Sequence, residues 1–262
     1  METNNPRELL RDEIGHYCRR LNLSQNPVQL CATEGTLKKE EFLHRILQEE
    51  IAGRERNRKA RLLARAGFPV YKTLDGFEQR PVRFPSIDVK QDILSGTFIA
   101  AKQNLVFFGP VGTGKTHLAI ALGVMACENS LSVRFHTVTE LILRLSEAHK
   151  AGRLERLLKD LQQADLIILD EWGYIPVDRD GSQLLFRVIA DAYETSSLII
   201  TTNIEFSRWG SVFTDDQMAA AMIDRLAHHG HLILFDGPSY RMEHALMRQG
   251  PRKGAIPAAL TT

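Results

Sequence analysis

The eight residues GPVGTGKT, 109–116, fit the spacing G-x-x-x-x-G-K-[ST], with Gly109, Gly114, Lys115 and Thr116 at its defined places. Glycines there let backbone N–H groups curl inward around an anion. A helix starting at the end of the loop turns its positive N-terminus toward the same charge. Lys115 is spaced to reach the β- and γ-phosphates of a nucleoside triphosphate, and the Thr116 hydroxyl to ligate Mg2+. The phosphate-binding set runs from Gly109 through Pro110, Val111, Gly112, Thr113, Gly114, Lys115 and Thr116 to His117. The motif needs a strand before it and a helix after it; NLVFF and HLAIALGVMA supply both patterns.

A second chemical element is DLIILDE, an apolar run that ends in Asp170 and Glu171. A carboxylate at such a strand end belongs in a Mg2+ shell. Asp170 is therefore the second expected metal ligand beside Thr116, and Glu171 the group that orients and polarises an attacking water. A third element is Asn203, which closes LIITTN. At the end of a neighbouring strand it points into the crevice where open α/β sheets bind ligands, unless it serves only as a helix cap or turn residue.

These residues require a scaffold. NLVFF (104–108), SVRFHTV (132–138), DLIILDE (165–171), SSLIITTN (196–203) and HLILFDG (231–237) are short apolar or β-branched runs separated by helical patterns. Strands buried on both faces look continuous in this way, and helices between them predict an α/β fold with a parallel five-stranded sheet. TELILRLSEAHKAG and RLERLLKDLQQA exceed a single crossover, so an inserted helical element is expected over 139–163. Residues 1–70 hold no convincing strand and read as a small all-helical domain. One helix ends near NLSQNP and a second follows EGTLKKEEF. Arg54, Arg58, Arg61 and Arg65 fall on one stripe unless Gly53 interrupts the helix. GFPVYKTLDGFEQRPVRFPS reads as a connector.

Bulk composition narrows the class. The chain has 262 residues, 44% hydrophobic and 25% charged, with a net charge of +1, so any basic signal is local. Cys18, Cys31 and Cys127 form no close pair and read as reduced, buried thiols. The N-terminus has no apolar signal core and no run spans a bilayer, so a cytoplasmic protein is expected. His228, His229 and His231 lack an evident carboxylate or cysteine partner and read as a polar element near a strand edge rather than a metal site.

Taken in order, GPVGTGKTHLA, LIILDEWGYIP, LIITTN, DRLAHHGH and SYRMEHALMR resemble the AAA+ ATPases. With NIEFSRWGSVFTDD they resemble more closely the IstB-like transposition helpers of bacterial insertion sequences, relatives of the DnaC helicase loaders and the DnaA initiator. The likeness covers about residues 71–248. It implies ATP and Mg2+ as cofactors, Arg225 as an arginine finger entering a neighbouring subunit's site, and Arg241 as a sensor touching the γ-phosphate from a small helical lid. Ala192 in DAYETSS departs from the arginine of many relatives, and no role is carried to it.

The resemblance further implies an ATPase that assembles as a homo-oligomer on double-stranded DNA and engages an IstA-like transposase. A DnaC-like helicase loader is the alternative; a small-molecule kinase with the same loop would need an acceptor-binding base. Phosphate contacts to DNA are expected from Arg54, Arg58, Arg61 and Arg65, and from Arg153 and Arg156 among the basic residues Arg144, Lys150 and Lys159 of the inserted helices. The expected organisation is a helical DNA- or partner-binding domain over 1–70, an AAA+ domain with its lid over 71–250, and a flexible tail over 251–262.

Overall fold

The computed structural model describes residues 5–75, 77, 82–174, 177–213 and 215–243. The chain divides into two compact units, Met1–Arg61 and Leu62–Thr262. The expected tail over 251–262 and the motif HALMR lie outside the described residues.

The first unit is helical. It contains α1 (Pro6–Arg20), α2 (Asn26–Glu34) and most of α3 (Leu37–Ala66). Asn5 caps α1 by accepting from the Arg7 amide, and Pro6 occupies the first turn, where its missing N–H costs nothing. Ile14, Cys18 and Leu21 of the α1 region, Cys31 of α2, and Leu47 and Ile51 of α3 form its core. Glu40 is fully buried there and accepts from Arg7 and Arg11 at 2.8 and 2.9 Å. These two guanidiniums hold its carboxyl down at about 2. Two helices were expected, and three are present among the described residues. The segment NLSQNP, where the first helix was expected to end, also opens α2 with Pro27 in its first turn, and α3 runs through Gly53 without interruption.

The expected domain boundary at residue 70 also moves. Leu62, Leu63, Ala66 and Phe68 pack into the core of the second unit, so the apolar end of α3 belongs there.

The second unit is built on a six-stranded sheet in the order β1-β6-β2-β5-β4-β3. Its strands are β1 (Val82–Arg83), β2 (Asn104–Phe108), β3 (Val133–Thr137), β4 (Leu166–Trp172), β5 (Ser197–Thr202) and β6 (Gly230–Phe235). The five expected strands are the parallel ones. The sixth, β1, lies in the supposed connector and pairs antiparallel at the edge, Val82 opposite Phe235. A two-residue strand offers no period from which to read it. The same region holds α4 (Ile87–Ser95), capped by Ser86, and α5 (Thr97–Ala100).

Side chains alternate across this sheet. Ile167 and Leu169 of β4 with Leu198 and Ile200 of β5 face one core. That core is closed by α7 (Val138–Lys150), α8 (Leu154–Gln162), α9 (Arg179–Ala192), α10 (Trp209–Phe213) and α11 (Asp216–His228). Leu166, Ile168 and Ile199 face the other core with Leu105 and Phe107. That side is covered by α6 (Lys115–Glu128), buried almost all round as an apolar helix between layers must be. A short α12 (Tyr240–Glu243) follows β6. The expected inserted element is the pair α7 and α8, both packed on α9. Because β2 lies between β5 and β6 rather than beside β3, the connection from β2 to β3 and that from β5 to β6 run in opposite directions from the C-terminal ends of these adjacent strands. A crevice opens at that point.

Candidate nucleotide-binding site

The loop 109–114 leaves β2 at this crevice and enters α6. Gly109 has φ 154°, and a Cβ there would sit 2.2 Å from the Phe235 carbonyl oxygen; only glycine allows the loop so close to the end of β6. Gly112, at φ 82°, lies equally close to Ser239, and its carbonyl accepts from the Tyr240 amide at 2.9 Å. Thr113 Oγ1 donates to the Pro110 carbonyl at 2.8 Å. The Lys115 ammonium donates to the Gly109 and Pro110 carbonyls, both at 2.7 Å. Burial pushes its pKa down to about 8, Arg241 adds to the shift, and Asp170 opposes it.

The carboxylate pair sits on a bulge. Leu169 pairs with Ile200 and Trp172 with Thr202, so Asp170 and Glu171 together oppose the single residue Thr201. In a regular strand these neighbours would face opposite sides of the sheet. Here Glu171 takes the left-handed φ of 61°, unusual for a non-glycine residue, and lines the crevice. Asp170 stays buried and accepts from Thr116 Oγ1 at 2.9 Å and from Thr201 Oγ1. The Glu171 amide donates to the same Thr201 hydroxyl at 3.1 Å.

The resulting cleft has a volume of about 480 Å³, within the range for small-molecule sites. Residues 111–117 line it together with Glu171, Thr201, Thr202, Tyr174 and Arg241. Val70, Lys72 and Phe77 close another side, where His117 Nε2 lies 3.3 Å from the Thr73 carbonyl oxygen. The donor set suits a triphosphate with Mg2+: a glycine cradle that a Cβ would fill, a buried ammonium, and a hydroxyl beside a carboxylate oxygen, both hard ligands. Lys72, Tyr174 and Thr201 were not anticipated. Thr201 carried a signal, a hydroxyl inside an apolar run; Lys72 carried none.

The model of the family described as IstB-like ATP binding protein matches residues 21–247. The chain belongs to that family. A relative named as an ATP-binding protein of insertion sequence IS5376, from Geobacillus stearothermophilus, is 33% identical to this IstB-like chain over 93% of it and 99% of the relative. One named for insertion sequence IS21, from Pseudomonas aeruginosa, is 40% identical over 81% of this chain and 80% of the relative. In fold, the IstB-like chain resembles a DnaC helicase loader (TM-score 0.51, 20% identity, 63% of this chain and 96% of that one). It also resembles an AMPPCP-bound DnaA from Aquifex aeolicus (TM-score 0.54, 19% identity, 67% of this chain and 53% of that one). The α/β architecture is thus one shared with these DnaC and DnaA structures.

The other expected residues of the IstB-like chain fall in different places. Arg241, on α12, lines the cleft. Asn203 follows β5, is exposed, and is absent from the lining, which takes Thr201 and Thr202 from this strand instead. Arg225 lies on α11, half-buried, 4.8 Å above the Phe186 ring, and donates to the Ala221 carbonyl; no carboxylate pairs with it among the described residues. Arg54, Arg58 and Arg61 are exposed on the first unit, with Arg54 bonded to Glu50 at 2.7 Å. Arg65 belongs to the second unit and pairs with Asp160 at 2.8 Å, where Arg134 binds the same carboxylate. Arg153 and Arg156 are exposed at the start of α8. His228 Nδ1 meets the Tyr193 hydroxyl at 2.9 Å, and His229 lies 3.6 Å from Glu194. The three cysteines are free and buried. No helix among the described residues is long and apolar enough to cross a membrane.

Proposed function

We propose that this chain is an ATPase that regulates DNA transposition, assembling with ATP on duplex DNA, recruiting or activating a transposase, and disassembling on hydrolysis. The observation that carries the reading is the convergence of the Lys115 loop, the Thr116–Asp170 pair and Glu171 on one cleft. Family membership and relatives named as ATP-binding proteins of insertion sequences support it. The helicase-loader alternative rests on likeness of fold alone.

In this reading the backbone of residues 109–114 and Lys115 hold the phosphates, while Thr116 and Asp170 hold Mg2+. Bound Mg2+ supplies positive charge to the transferring phosphoryl group. Glu171 orients and deprotonates the attacking water from its bulged position. Arg241 contacts the phosphates from α12, and Asn203 does so only by moving inward. Arg225, with no carboxylate paired to it among the described residues, serves a neighbouring subunit's site.

The helical unit Met1–Arg61 and the inserted helices contact DNA through Arg54, Arg58, Arg61, Arg153 and Arg156. Arg65 contributes less, since Asp160 already holds it. Exposed ion pairs such as Arg54–Glu50 are weak enough to yield to phosphate. The ATPase domain, expected over 71–250 with its small lid included and now begun at Leu62, is followed by the tail over 251–262, and the protein acts in the cytoplasm. Phosphate release measured with and without duplex DNA, beside sizing in a slowly hydrolysed ATP analogue, tests the reading. DNA-stimulated release and nucleotide-dependent assembly are expected; a monomer at full activity when dilute would remove the interface role from Arg225.

A further inference from the structure

We propose that Thr201 is the positioning residue of this site, one hydroxyl that sets both the metal-holding carboxylate and the water-activating one. The inference rests on the ATPase reading and adds a residue to it. Thr201 is 2% exposed and is the penultimate residue of β5, at the end that faces the cleft. Its Oγ1 donates to Asp170 Oδ1 and accepts from the Glu171 amide at 3.1 Å, so its donor and acceptor capacities are both used. It is also the single residue that faces the two-residue bulge.

These facts give it a task that Thr116 cannot perform. Thr116 Oγ1 also donates to Asp170 Oδ1. Thr116 bonds the Asp170 carboxylate alone, whereas Thr201 also accepts from the Glu171 amide and so ties the two acidic residues together. The bulge meanwhile leaves the Glu171 amide without a ladder partner, because pairing is interrupted between Leu169 and Trp172, and a partly buried N–H without an acceptor is costly. A hydroxyl opposite the bulge meets that need and holds Glu171 at the left-handed φ that turns it toward the cleft. Neither function can be met by an apolar side chain of the same shape.

Thr201→Val tests this, because valine matches the shape and suits a buried strand. The variant should keep its thermal midpoint and bind nucleotide without metal within about twofold of the parent, since the loop and Lys115 are untouched. The gain in affinity on adding Mg2+ and kcat should each fall about tenfold or more, the loss expected for a hydrogen bond to a charged group, with little change in KM at saturating Mg2+. Thr201→Ser should restore both to near parental values. A Val variant with the parental Mg2+ effect and kcat overturns the proposal. So does a Ser variant as impaired as Val, which would assign the loss to packing. If the parent itself binds no Mg-nucleotide, the ATPase reading falls and this inference with it. An active parent beside an unaffected Val variant sinks the Thr201 role alone.

Discussion

The Lys115 ammonium and the Gly109 carbonyl oxygen lie 2.7 Å apart, so a lysine spaced to reach phosphates instead closes its own loop. With Pro110 supplying a second acceptor at the same distance, the charge is satisfied although it is buried. Its lowered pKa records the cost of burial. Lys115→Met keeps the stem and deletes the charge. Nucleotide affinity by calorimetry should fall roughly 10- to 100-fold, as for one or two hydrogen bonds to charged groups. The thermal midpoint should hold or rise, because a partly desolvated charge has gone. Equal loss of stability and binding would show that the lysine is chiefly a structural tie.

Glu171 pays a conformational penalty for its place in the cleft. At φ 61° a glycine would be unstrained. Glu171→Gly should therefore leave stability unchanged or raise it by about 1 kcal/mol, offset in part by greater unfolded-chain entropy. Glu171→Gln should bind nucleotide as the parent does while hydrolysis falls about 10²- to 10⁴-fold, the usual contribution of a general base. Denaturant titration and phosphate release measure the two effects. Substantial hydrolysis by the Gln variant would remove Glu171 from that role.

Arg225 rests on Phe186 and its own helix, away from the cleft that its chain forms. Arg225→Ala should slow hydrolysis by about 10³- to 10⁵-fold if it acts as an arginine finger. Mixing it with Lys115→Met should recover activity, since interfaces would form in which an intact loop meets an intact arginine. No recovery in mixed oligomers, with assembly verified by sizing, would argue against a contribution in trans.

His136 makes the second unit acid-sensitive. It is 6% exposed on β3, with its Nδ1 3.4 Å from an Arg144 nitrogen, and its pKa is pushed down to about 4 by burial, with Arg144 and Arg134 adding and Asp160 opposing. The unfolded chain takes up this proton first. The stability from a neutral His136 is therefore complete above about pH 6.5 and is lost as pH falls toward 4. Denaturant unfolding at pH 5 should show a loss of about 2 kcal/mol relative to pH 7. A His136→Phe variant should lack that component, and an unchanged pH profile in the variant would assign the loss elsewhere.

Much of the site was legible from residue order because its parts are local. Gly109 to Thr116 form one continuous loop whose conformation depends on their own φ angles, and Asp170 closes a strand that its apolar run announces. Asn203 was read the same way with a different outcome. Being at a strand end does not decide which way a residue points, and here β5 contributes Thr201 and Thr202 to the cleft. The helix at Asn26–Glu34 escaped because nine residues around a proline hold too few apolar positions to show a period.

Local spacing alone dictated the phosphate loop, the parallel strands and the helical character of the first residues, since each follows from torsional freedom and from alternation along a short segment. The order of strands, the move of Leu62–Phe68 into the second core, and the meeting of Thr116, Asp170 and Thr201 arose only when distant segments packed. So did the bulge at Asp170 and Glu171. One extra residue in a strand exists only relative to its neighbour, and no reading of β4 by itself contains the register of β5.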